Sequence, residues 1–306
     1  MNKYLDILES IDFEKITDHP NILIAANFWE EERYSAAKTC YKYLRAIDDL
    51  IDGHKSINKS IAEEDKKFFH LRVQSWIDSI KGIGNEASAW PDLMETIVKF
   101  RIPLWPMEFF ARSMIYDINN NGFRTFEDFL DYSQGASVAP ASIFVHLTGI
   151  SKRDNGFVAP VFDVRSAATP CAIFSYIVHI IRDFQKDQKN NLNYFARNIL
   201  ERNNLNPEGL KEISEGGRIT QDFRRMMEEY YSIADRYRLE TWEKIVDIRG
   251  HLQPRYRLSL HIIFNLYLMV FERINIENGN FSAEELNPTP DEIRRRVLQT
   301  IIDFAE

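Results

Sequence analysis

The chain has 306 residues, 44% of them hydrophobic and 13% aromatic, enough for a sizeable core and for an aromatic-lined cavity besides. Its net charge of −8, with no basic block, excludes the electrostatic footprint of a nucleic-acid partner. Two cysteines, Cys40 and Cys171, lie inside apolar helical patterns, and no basic-then-apolar leader opens the chain, so a reduced, cytoplasmic protein is expected.

In chain order, Lys3–Ile11 is predicted as a short amphipathic helix, and Pro20 with Asn21 marks a turn before the apolar run Ile22–Trp29. A helix from about Tyr34 to Asp52 closes at Gly53. Residues 60–82 form another, with Phe68, Phe69, Leu71, Trp76 and Ile80 on or near one face, and Gly82 to Asn85 breaks it. Trp90–Phe100 follows, with Pro91 at its start. Pro103 and Pro106 open a helix over Pro106–Tyr116 that ends at Asp117, ahead of the turn Asn119–Gly122. Thr125 caps a helix running to about residue 150, with Asp128 as its capping-box partner. Inside it, Ser137-Val138-Ala139-Pro140-Ala141 combines small residues with an internal proline, which predicts a kink and a close approach of backbone or substrate. Tight packing and pocket lining fit these residues equally well.

An apolar helix over Cys171–Ile181 comes next, then Arg224–Ala234, Tyr237–Ile248 and Pro254 to about Arg273. Past a break at Asn287–Pro290, Asp291–Phe304 closes the chain as an amphipathic helix carrying Arg294, Arg295 and Arg296. Cys171–Ile181 and Leu258–Phe271 are too short for membrane spans and carry His179, His261 and Asn265. No linker, repeat or strand-like alternation divides the chain. The reading is one all-α domain over residues 1–306, a helical bundle around a central apolar cavity.

The chemistry concentrates in Tyr41–Gly53. Arg45, Asp48 and Asp52 stack on one helical face beside the apolar stripe Leu44, Ile47 and Ile51. Carboxylates at i and i+4 repel by a few tenths of a kcal/mol even when solvated, so a cation between them is expected. An oxygen-only donor set suits Mg²⁺, which takes one or two carboxylates and completes its shell with water and substrate phosphate. Taken alone, such a string is as often a solvated helix end. A second copy follows: Arg182-Asp183 with Asp187 repeats the arrangement after an apolar helical run. Two such helices are what a metal-assisted reaction of a diphosphate requires, with the arginines neutralising the remaining phosphate charge.

The two motifs, their order and their spacing resemble the squalene/phytoene synthase family, the head-to-head trans-prenyltransferases, over roughly residues 25–275. Thr125–Tyr132 resembles the family's "TxxDLxxYC" helix start, and Arg182, Asp183, Asp187 and Asn193-Tyr194-Phe195 resemble its second Asp motif and the segment after it. Tyr267 falls where the family has a tyrosine near the reacting carbons. Met114-Ile-Tyr-Asp117 matches its "G-M-x-x-D" pattern in part, which leaves Asp117 between a helix-end residue and a functional one. There are departures too. Asn27-Phe28-Trp29 is the nearest counterpart of a Phe-Tyr or Phe-Ser diphosphate-holding element, and both glycines of the channel-lining "A-G-x-V-G" are replaced in Ser137–Ala141. Tyr176, His179 and Lys186 stand where the family has Gln, Asn and Glu.

The resemblance implies a bundle of the isoprenoid synthase type with its Asp motifs facing each other across the mouth. It implies two allylic prenyl diphosphates, farnesyl or geranylgeranyl, joined head-to-head to a squalene- or phytoene-like product. Asp48, Asp52, Asp183 and Asp187 become the catalytic residues and the Mg²⁺ ligands. Asp49 is a lesser metal candidate, because it lies roughly 100° round the helix from Asp48. Arg45, Arg182, Tyr176, His179, Val138 and Ala141 become substrate contacts, and Tyr267 a hydroxyl near the second ionisation. Some members of the family use NADPH. No Gly-rich nucleotide loop decides that point here. A peripheral bilayer contact for product release is compatible with the reading. Two rivals remain at the level of sequence: a class I terpene synthase that cyclises one diphosphate, and a helical scaffold or assembly protein whose site has decayed.

Overall fold

The structure is a computed structural model and describes residues 2–15, 21–58, 60–81, 90–154 and 156–305. The turn at Pro20 and the break at Gly82–Asn85 lie outside the described residues. Helices α1 (Asn2–Ser10) and α2 (Asn21–Ala26) lead into α3 (Glu31–Asn58), which runs straight through Gly53 rather than closing there. A mid-helix glycine costs about 1 kcal/mol relative to alanine. The stripe Leu44, Ile47 and Ile51 continues to the buried Lys55 and carries the helix past it.

Helices α4 (Glu63–Lys81), α5 (Pro91–Phe100) and α6 (Trp105–Asn119) match the expected segments within a few residues. The predicted helix to residue 150 is a composite: α7 (Phe126–Ser133), a π-turn over Gln134–Val138, and α8 (Ala139–Gly149). Thr125 and Asp128 close the capping box from both sides. The wide turn accommodates Pro140, whose missing N–H falls in the first turn of α8. Gly135 sits here against the Phe109 carbonyl and the Ser113 hydroxyl, and any Cβ would overlap both. Glycine lets this rod press against α6.

A short hairpin, β1 (Ser151–Arg153) with β2 (Gly156–Val158), follows; it is antiparallel with Ser151 opposite Val158. It was not expected, since three-residue strands carry too little alternation to read. Helix α9 begins at Val164, earlier than predicted, because Asp163 caps it by accepting from the Ser166 N–H and the chain passes through Pro170 without stopping. It ends at Arg182. Asp183, at φ −90° and ψ 5°, is the corner from which α10 (Phe184–Lys189) restarts, so the second Asp pair straddles a joint rather than lying on one helix.

Helices α11 (Arg197–Arg202) and α12 (Pro207–Ser214) lead to α13 (Gln221–Ile248), predicted as two helices but continuous. Met227, Tyr230, Ala234, Thr241 and Ile245 form one buried stripe along it, which outweighs the charged segment near residue 236. Helices α14 (Pro254–Phe271), α15 (Ala283–Leu286) and α16 (Pro290–Ala305) complete the chain. Helix α9 is the central rod, with α13, α8 and α14 packed around it and the buried side chains forming one connected core. It is also the one described helix long and apolar enough to cross a membrane, and most of its apolar window is buried inside the bundle.

Candidate active site

Three elements build an acidic mouth. Helix α3 supplies Asp48 and Asp52, the joint between α9 and α10 supplies Asp183 and Asp187, and α6 supplies Asp117. The Arg45 guanidinium donates to both Asp48 and Asp49. Asp48 keeps 22% of its side-chain surface, whereas Asp49 keeps 59%, so the pair splits into an inward and an outward carboxylate as the helical rotation dictates. On the other side Arg182 grips Asp183 through two parallel bonds of 2.8 and 2.7 Å. Asp187 follows one turn on, its N–H donating to the Asp183 carbonyl at 2.8 Å.

The electrostatics differ between the four. Burial, then repulsion from Asp52, pushes Asp48 above the ordinary carboxylate range, and burial, then the charge of Asp117, does the same to Asp52. Asp187 is pushed up to about 8 by burial and by Asp183, with Asp52 from the opposite helix adding to it. Burial also pushes Asp183 upward, but its bonds to Arg182 outweigh that and hold it below the usual range. Asp52 on α3 thus lies within electrostatic reach of Asp187 on the second motif. Among the described residues no three His, Cys, Asp or Glu side chains close into a ready-made metal cage. Pairs of buried, oxygen-only, mutually repelling carboxylates nevertheless fit a hard cation that brings its own water and phosphate ligands.

These shifts have a measurable consequence. A carboxyl whose folded pKa is raised binds more protons folded than unfolded, so its contribution to stability is lost as pH rises. With EDTA present, the thermal midpoint is expected to fall between pH 6 and pH 8.5, and Asp187→Asn is expected to flatten that fall. A variant with the same pH dependence as the parent would contradict the assignment.

Beside the aspartates lies a polar chain the sequence reading did not assemble. Lys55, only 4% exposed, donates to the Asp117 carbonyl at 3.1 Å, to its Oδ1 at 3.4 Å and to the Asn120 carbonyl at 3.1 Å. Tyr132 donates its hydroxyl to Asp117 Oδ2 at 2.6 Å, and the Tyr176 ring lies 6.3 Å from that of Tyr132 between centroids. The Tyr176 ring also approaches Tyr194 at 6.1 Å between centroids. Extending the 3.6-residue count past Gly53 would have put Lys55 two turns below Asp48 and flagged it.

The other expected residues divide. His179 meets Tyr267 edge-to-face at 5.1 Å, on the inner side of α9 below Asp183. Ala141 lines an apolar cavity of about 40 Å³ with Phe144, Cys171, Ile245 and Ile263. At about 1.5 Å per residue, Cys171 lies some 18 Å along α9 from Asp183, so this cavity is deep below the mouth. Val138 is fully buried and is not among the cavity's lining. Asn27-Phe28-Trp29 is packed rather than presented: Phe28 and Trp29 are buried, and the Trp29 indole donates to the Ser259 hydroxyl at 2.7 Å. Lys186 is exposed, and Arg294 and Arg296 pair with Glu9 and Glu272.

Solved structures share this architecture. A dehydrosqualene synthase in complex with ligand aligns with TM-score 0.67 at 14% identity, over 99% of both chains. Squalene synthase HpnC from Alicyclobacillus acidocaldarius aligns with TM-score 0.66 at 15% identity, over 89% of this chain and 94% of that one. YisP from Bacillus subtilis aligns with TM-score 0.59 at 12% identity, over 96% and 94%. At such identities these show the all-α isoprenoid synthase fold. No curated protein matches the chain by sequence. The squalene/phytoene synthase profile, however, matches residues 19–297, nearly the whole chain, which therefore belongs to the squalene/phytoene synthase family of prenyltransferases.

Proposed function

We propose that this enzyme, acting as a single domain, joins two allylic prenyl diphosphates head-to-head with release of diphosphate. The observation that carries the reading is the pair of Asp motifs, each with its own arginine, on α3 and at the joint of α9 and α10, close enough for Asp52 to raise Asp187. Bound Mg²⁺ would supply the positive charge that lets a diphosphate leave with its bonding electrons. Asp48, Asp52, Asp183 and Asp187 would hold it, with Asp49 at the rim. Arg182 and Arg45 orient the carboxylates and add positive charge for the phosphate oxygens. The allylic cation left behind is attacked by the double bond of the second substrate in the apolar interior, where water is excluded. Tyr176, His179 and Tyr267, on the inner side of the bundle below the aspartates, would contact the prenyl chains, with the Tyr267 hydroxyl near the second ionisation. Loss of one proton closes the coupled diphosphate, departure of the second diphosphate leaves a C30 or C40 cation, and that cation becomes the product by losing a second proton or by taking a hydride from NADPH.

Cyclisation of a single diphosphate is the second reading. It is favoured by Tyr176, whose ring and hydroxyl occupy the zone just inside the mouth where the family pattern has Gln. Product analysis separates the two. Purified protein is incubated with farnesyl or geranylgeranyl diphosphate and Mg²⁺, with and without NADPH. A C30 or C40 hydrocarbon is the expected product, and its dependence on NADPH decides that cofactor. A C15 or C20 product would replace coupling by cyclisation or simple ionisation.

A further inference from the structure

A cavity of about 850 Å³ opens beside the 188–197 segment, bounded by the turn at 120–124 and the start of α12. None of the four aspartates lines it, and its volume lies within the range of small-molecule sites. Its wall is firmly built. The Arg197 N–H donates to the Phe123 carbonyl at 2.9 Å and the Asn198 N–H to the Arg124 carbonyl at 3.0 Å, which zips the two segments together. Gly122, at φ 111°, lets the turn pass beside the Asn193 carbonyl, only 3.1 Å from where a Cβ would sit.

This pairing sets Arg124 and Arg197 side by side, and Lys211 of α12 faces them from the far wall, 3.4 Å from Asn191 Oδ1. Among the described residues, neither arginine's guanidinium has an ion-pair or hydrogen-bond partner. One acid of the lining, Asp128, caps α7, its Oδ2 accepting from the Thr125 N–H at 2.9 Å. Glu208 is exposed at the rim. Three cations and two acids thus line the cavity together with amides and aromatic rings, and the two cations without a partner, Arg124 and Arg197, are exposed to solvent and to an incoming anion.

We infer that this cavity is a second anion site, separate from the acidic mouth, that takes a ligand bearing a diphosphate group. Guanidinium forks and an ammonium are the donors that bind such a group, the forks pairing bidentately with its oxygens. Inorganic diphosphate and a nucleoside diphosphate share the chemistry; for the latter, Asn121, Asn191 and Gln188 offer amides to a base. The site also touches the mouth. The 188–197 segment carries Tyr194 inward, and the Leu192 N–H donates to the Asp187 carbonyl at 2.8 Å, so a ligand here stiffens the segment that holds Asp187.

The test is calorimetric titration of the full chain in EDTA with inorganic diphosphate and, separately, with ADP. Without divalent metal the carboxylate-lined mouth repels both, so the heat reports on the second cavity and needs no turnover. One-to-one binding is expected, weakened at least about tenfold by Arg124→Glu/Arg197→Glu. Arg124→Gln/Arg197→Gln, with its circular dichroism, guards against a reversal variant that fails to fold. Tighter binding of ADP identifies a nucleotide, and comparable binding of the two identifies the diphosphate group alone. Binding of neither below millimolar concentration, or binding indifferent to both arginine variants, overturns the proposal.

Discussion

Asp187→Asn is expected to lower kcat/KM on the order of 10²–10³-fold while leaving the metal-free protein as stable as its parent, or more so. Asp183→Asn is expected to lose comparable activity and also to lose stability, by about 1.5–3 kcal/mol. The two carboxylates are one turn apart and would share a role, yet they sit in opposite electrostatic states. Asp183 is held ionised by two bonds from Arg182, so replacing it strands a guanidinium whose side chain is only 14% exposed. Asp187 has no such partner. Burial, Asp183 and Asp52 all work against its charge, so an amide relieves repulsion that only a cation would otherwise relieve. Steady-state kinetics with Mg²⁺ and thermal melts in EDTA at pH 8 measure the two halves of the claim. If Asp187→Asn melted well below the parent, its carboxylate would be structural, and its place among the metal ligands would fall.

Much of this was legible before any coordinates, because helices announce themselves through period and caps. Thr125 with Asp128, and Pro254 at the head of α14, marked real starts. The errors share one cause: local punctuation was given more weight than burial. Gly53 looked like a terminator, yet Ile51 and Lys55 are buried and the helix continues. Pro170 lies inside α9, and the charged residues near 236 lie inside α13, each overridden by an apolar stripe packed against the bundle. The corner at Asp183 was invisible for the opposite reason, since a single residue at ψ 5° leaves the spacing of Asp183 and Asp187 untouched. The four aspartates and their arginines could be named because their spacing is local. The chain from Lys55 through Asp117 to Tyr132 could not, because it joins three helices and only the fold brings those residues together.

That chain supports the second large effect. Lys55→Met is expected to destabilise the protein by about 3–5 kcal/mol, the cost of stranding a buried charge when its partner is removed. Lys55 and Asp117 are both nearly inaccessible, with side chains 6% and 11% exposed, and the ammonium satisfies the Asn120 carbonyl as well. Methionine fills the volume but offers no proton to any of these acceptors. Burial already pushes Asp117 above the ordinary carboxylate range, and Lys55 is the first of the contacts that counter it. Without Lys55 the Asp117 carboxyl is pushed further up, and only Tyr132 is left to satisfy it. Lys55 also offsets the negative charge on Asp52, so the loss reaches the Asp48–Asp52 face of α3. Adding Asp117→Asn to Lys55→Met should recover a large part of the stability, because a neutral amide can still accept from Tyr132. Urea denaturation of the four proteins of this cycle at pH 7 gives the coupling directly. A strong negative departure from additivity is the expected sign. Additive single effects would mean that Lys55 acts through packing alone, and the link from α6 to the Asp48–Asp52 face would then have no energetic content.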